Sequence, residues 1–128
     1  MIAFRRSALV WLIFLPMISS FLVQEASGWD GARKRIDIKI ENRRLVAPQG
    51  SIRVIELDMV ELRYMSDEAV KLHLHGYDRK IQIWPGKQAV MSLTANATGR
   101  FPITSHGWGE KNQIHGHHVL THLEVYPR

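Results

Sequence analysis

The chain is 128 residues long, contains no cysteine and carries a formal charge of +5. Without a thiol it can form no disulfide, no thiolate metal site and no cysteine nucleophile, and no lipid can be attached through cysteine. Arg5 and Arg6 belong to an amino-terminal export pattern, so the remainder is only mildly basic, and export argues against nucleic acid as a partner.

Residues 1–28 read as a signal peptide. Arg5 and Arg6 precede an apolar stretch from Ala8 to Val23, and Ala26-Ser-Gly28 places small residues before a cut between Gly28 and Trp29. Left uncleaved, the stretch would be of the order of the ~17 residues a short membrane span needs. Pro16 and the Ser19-Ser20 pair interrupt it, so the expectation is cleavage, no membrane contact afterwards, and a periplasmic or secreted product. Residues 29–128 are then one domain of about 100 residues. Small exported domains often rely on disulfides; this one must rely on packing, with any bound metal as an addition.

Alternation with a period of two dominates the chain beyond Trp29. Arg35-Ile-Asp-Ile-Lys-Ile40 places isoleucines on one face and charges on the other, as a half-buried strand does. Basic residues cluster here (Arg33, Lys34, Arg35, Lys39, Arg43, Arg44), which suits an edge that resists pairing with other sheets. After the turn Pro48-Gln-Gly50, extended runs are expected over Ile52–Ile55 and Val60–Tyr64, and Ser66-Asp-Glu68 turns the chain. Val70, Leu72 and Leu74 alternate with Lys71, His73 and His75; Lys80–Ile83 ends at the turn Trp84-Pro-Gly86. Gln88–Thr94, Arg100–Ser105 and Val119–Tyr126 complete seven or eight short strands, the pattern of an antiparallel β-sandwich. Ile36, Ile38, Ile40, Leu62, Leu72, Leu74, Ile81, Ile83, Leu93, Phe101, Ile103 and Leu123 should share its core.

All seven histidines lie between His73 and His122. His73 and His75 share the strand face opposite Leu72 and Leu74, about 6.5–7 Å apart along the strand. His106, His115, His117 and His118 bracket or lie in a glycine-punctuated stretch that breaks the alternation, where a scaffold commonly carries function. His122 alternates into the last strand and reads as structural. Glu110, in the same stretch, reads as a solvated charge. Imidazole is the commonest neutral metal ligand, and nitrogen-rich sites favour copper, zinc or nickel. A ligating imidazole must be neutral, so binding should weaken as pH falls through about 6.5.

Taken in order, Ser66-Asp-Glu68, His75-Gly-Tyr77, Pro85-Gly86, Gly99-Arg-Phe101 leading into His106, and Leu123-Glu-Val-Tyr-Pro127 resemble a cupredoxin-like domain. The resemblance implies an all-β, antiparallel Greek-key sandwich with a metal site at one end. It assigns one ligand to His75, which a glycine and an aromatic residue follow as in the family. It draws the others from the loop between the last two strands, Ser105–His118 here. In the family that loop supplies a cysteine, a histidine and often a methionine. This chain has no thiol at Ser105-His106 and no methionine after Met91. The fold and the position of a site are therefore implied, and a blue-copper centre is not.

What remains is an all-histidine set: His75, His106 and one or more of His115, His117 and His118, with His73 as an extra ligand. Copper is the expected metal and zinc the second choice. His73-Leu-His75 also resembles the His-x-His strand of copper-zinc superoxide dismutases, but those need a disulfide and a long zinc loop, and only a short turn follows Asp78. Ser105 beside His106 has no orienting carboxylate, and phosphate-binding glycine patterns are absent, so no enzyme is expected. The expected function is exported copper handling, with a copper donor or acceptor protein as partner. The alternative is a metal-free interaction module of a larger exported or membrane complex.

Overall fold

The alternating runs become strands in the computed structural model, which describes residues 31–108 and 118–128. Among them are nine strands: β1 (Arg33–Glu41), β2 (Arg44–Ala47), β3 (Ile52–Ile55), β4 (Met59–Ser66), β5 (Val70–Leu74), β6 (Arg79–Ile83), β7 (Ala89–Thr94), β8 (Gly99–His106) and β9 (His118–Tyr126). They form a four-stranded sheet in the order β2-β1-β4-β7 and a five-stranded sheet in the order β3-β9-β8-β5-β6. The expected sandwich is present, with one refinement. Strand β1 runs parallel to β4 and β3 parallel to β9, so both sheets are mixed. Alternation reports which face a residue takes and carries no information on strand direction.

The predicted core is the observed one. Ile38, Ile40, Leu62, Leu72, Leu74, Ile83, Leu93, Ile103 and Leu123 are buried, and Ile36, Ile81 and Phe101 pack against them half-buried. Ile52, Val54, Val60, Tyr64, Val70, Met91, Ala95 and Val125 fill the remainder. Burial also pushes the ionisation of the Tyr64 hydroxyl far above the usual tyrosine range. The expected cut at Gly28 lies outside the described residues, and among those described no helix is long and apolar enough to cross a membrane.

Strand β2 leaves no mark in the alternation for a local reason. It follows a two-residue turn in which Asn42 and Arg43 have φ of 50° and 63°, a left-handed pair that usually calls for glycine. Tertiary contacts hold it instead. The Asn42 amide donates to Asp67 Oδ2 at 2.9 Å, and Arg43 Nε donates to Glu68 Oε2 at 3.0 Å.

At the end of the sandwich where β3 runs out and β4 begins, the carboxylate of Asp58 is 1% exposed and serves as an internal tie. One oxygen accepts from the Ala32 amide at 3.1 Å and the other from the Ile55 amide at 3.0 Å. Its own carbonyl accepts from Ala95 at 2.9 Å, so β1, β3, β4 and β7 meet at this residue. Gly31 is required beside it, because an added Cβ would stand 1.9 Å from the Leu57 carbonyl oxygen.

Two substitutions test this packing. Leu74→Ala should cost about 2–5 kcal/mol through the cavity it leaves. Asp58→Ala should cost about 1–3 kcal/mol, because it takes the acceptor from two partly buried backbone amides at once. Both are read as a lowered denaturant midpoint with little change in slope.

Candidate metal centre

Leu72 and Leu74 are each 0% exposed, so the alternate residues His73 and His75 face outward from the five-stranded sheet. The register with β8 decides what they meet. His73 lies opposite Thr104, Lys71 opposite His106, and the His75 amide donates to the Pro102 carbonyl at 3.0 Å. Directly opposed residues share a face, so three imidazoles and one hydroxyl gather on one patch. The His73 and His75 rings stack at 4.0 Å between centroids with a 40° tilt, and His73 lies 6.3 Å from His106.

Thr104 sits at the centre of the patch, 4% exposed. Its Oγ1 is 2.8 Å from His75 Nε2 and 3.3 Å from His106 Nε2. A hydroxyl has one proton to give. It cannot donate to both rings, so at least one of these Nε2 atoms carries a hydrogen in this arrangement. His73 Nε2 meets Asp78 Oδ1 at 2.9 Å, and Lys80 Nζ approaches the same oxygen at 3.9 Å.

The turn after His75 is built to hold these positions. Gly76 has φ of 82°, and a Cβ there would meet Phe101 Cδ1 at 2.3 Å. Tyr77 then packs edge-on against Phe101, with ring centroids 4.9 Å apart, and its hydroxyl donates to the Ala97 carbonyl at 2.8 Å. This anchors the segment that returns as Asp78, itself left-handed at φ 48°. The His75-Gly-Tyr77 motif therefore fixes the frame of the patch.

Of the sequence-derived ligands, the structure brings His73, His75 and His106 together. His118 pairs across from Ser105, whose hydroxyl donates to the His118 carbonyl at 3.3 Å; its side chain is exposed and lines a separate hollow beside Arg44. His115 and His117 lie outside the described residues. Half-buried His122, read as structural, lines the same hollow as His118. Among the described residues no three His, Cys, Asp or Glu side chains stand within reach of one metal ion. Two Nε2 atoms instead meet one hydroxyl oxygen, and a third imidazole stacks beside them. Thr104 and Asp78 were not foreseen as neighbours of the histidines. Thr104 alternates with His106 two residues on, but only the β5–β8 register places it opposite His73.

No protein-family model matches the sequence, and no curated protein matches it. Solved structures do. A heme-copper terminal oxidase dimer chain matches with a TM-score of 0.61 and 20% identity, over 75% of this chain and 65% of that one. The periplasmic domain of subunit II of the cytochrome oxidase of Bradyrhizobium japonicum matches with a TM-score of 0.53 and 12% identity, over 73% and 83%. The copper nitrite reductase of Nitrosomonas europaea matches with a TM-score of 0.53 and 17% identity, over 75% of this chain and 42% of that one. The chain therefore spans just under two thirds of the oxidase chain and less than half of the reductase. At these identities the likeness establishes the fold, which is that of a cupredoxin-like domain.

Proposed function

We propose that this is an exported copper-binding protein that carries the metal through His75 and His106, with His73 beside them. Zinc is the less selective second ion. The observation that supports this reading most is the convergence of His75 Nε2 and His106 Nε2 on one point, now filled by the Thr104 hydroxyl. Copper-named and periplasmic neighbours of the same fold support it further. Its job is buffering or delivery of copper, with a copper donor or acceptor protein as partner and without catalysis. An imidazole set with no thiolate lacks the soft ligand that tunes a blue-copper potential.

A metal-free interaction module of a larger exported or membrane complex is the competing reading. It is favoured by the way the same rings are satisfied without metal, through Thr104 and Asp78.

Copper titration of the protein separates the two. Parent protein should bind copper with only weak visible absorption, and His75→Ala and His106→Ala should each weaken binding by roughly tenfold or more, as the loss of a ligand bond implies. Unchanged binding in both variants would remove this site, and no binding of copper or zinc at micromolar levels would favour the interaction module. Thr104→Val should tighten copper severalfold, because competing hydrogen bonds of about 1 kcal/mol each leave the metal-free state. Thr104→Ser should behave like the parent.

A further inference from the structure

A second polar feature lies away from the histidine patch, where the β1–β2 turn, the β2–β3 connection, β8 and β9 come together. It is an open hollow of about 500 Å³ whose lining includes Arg43, Arg44, Gln49, Arg100, His118 and His122. Among the described residues no aspartate or glutamate lines it. The wall is fixed rather than incidental: the Thr121 hydroxyl donates to the Gly50 carbonyl at 2.8 Å, joining the β2–β3 connection to β9 across 71 residues of sequence.

The charges around it are not equally engaged. Arg43 is held by Glu68 at 3.0 Å and Arg100 by Glu124 at 3.3 Å, with both carboxylates outside the lining. Glu124 is also bound by Tyr126 and Ser51 and faces Arg53, and these contacts hold its carboxyl below the usual range. Arg44 has no ion pair or side-chain hydrogen bond among the described residues. Its cross-strand neighbour Glu41 is taken by Lys39 at 2.6 Å. Two segments bring three guanidinium groups to this hollow, and since carboxylates hold Arg43 and Arg100, it is Arg44 that keeps its charge open to an anion among the described residues. Guanidinium groups meet a phosphoryl oxyanion in a paired, planar fork, which sets this chemistry apart from general attraction to negative charge.

We infer that this hollow is an oxyanion site for a phosphoryl group, free in solution or carried on a phospholipid headgroup, with Arg44 as its principal contact. The inference is independent of the copper reading, since it uses none of His73, His75 or His106.

The test uses the full chain. Inorganic phosphate is titrated at low salt while arginine Nε–H signals are followed by NMR, with acetate as the singly charged control. Vesicles of phosphatidylglycerol, against phosphatidylcholine, supply the headgroup arm. Saturable shifts with millimolar phosphate that acetate does not reproduce, weakened about tenfold or more in Arg44→Gln, identify free phosphate as the ligand. Retention on phosphatidylglycerol vesicles that Arg44→Gln abolishes, without a response to free phosphate, identifies the headgroup. Arg44 is exposed, so an unchanged unfolding midpoint confirms that the variant is folded. No response in either arm overturns the site, as does a response that Arg44→Gln leaves intact.

Discussion

The register between β5 and β8 is the constraint on which the histidine patch rests. Burying Leu72 and Leu74 leaves His73 and His75 no choice but the outer face. Pairing Leu72 with Ser105 then sets Thr104 opposite His73, and His106 one step beyond. A slip of one residue would turn every one of these side chains to the other face, exchanging imidazoles for leucines in the core. The cost of burying two polar rings in place of two aliphatic ones secures that register. Core packing and site geometry are thus one decision. Side chains placed on the outer face of a strand inherit the rigidity of the hydrophobic alternation beneath it.

The two outer faces of the sandwich have been put to different uses. On the four-stranded sheet Arg35 lies opposite Glu61 and Asp37 opposite Arg63, and Glu61 accepts a 2.7 Å bond from Arg63 that holds its carboxyl below the usual range. These half-exposed pairs contribute little to stability, yet they keep that face charged and unattractive to other sheets. The five-stranded sheet concentrates the imidazoles instead. With no disulfide to restrain the chain, order at the end where β3 runs out and β4 begins comes from Asp58, whose buried carboxylate gathers the start of β1 and the end of β3.

Much of the architecture was legible because alternation is a direct record of which face is buried. Every residue expected in the core is buried or packed against it. Strand β2 was not legible, since its turn uses Asn42 and Arg43 in a conformation normally marked by glycine, stabilised by Asp67 and Glu68 some 25 residues away. The parallel pairing of β1 with β4 was hidden for a related reason, as direction is set by connections rather than by composition. At the site, the sequence identified His73, His75 and His106 as candidates but could not place Thr104 between two of them. Cross-strand neighbours depend on register, which short-range pattern does not encode.

The histidine patch is satisfied by its own neighbours. Thr104 and Asp78 hold the rings through hydrogen bonds of ordinary length, so the polar groups are not left wanting in the metal-free protein. A metal would have to displace that network, exchanging bonds worth about 1 kcal/mol each for coordinate bonds of far greater strength. Such an exchange moderates affinity and leaves the rings in place when the ion departs. For a protein that must hand its metal to a partner, a ready-made resting arrangement lowers the cost of release. For an interaction module the same network is simply a stable surface. Thr104 distinguishes the two, because its hydroxyl competes with a metal for His75 and His106 but only buttresses them where no metal is used.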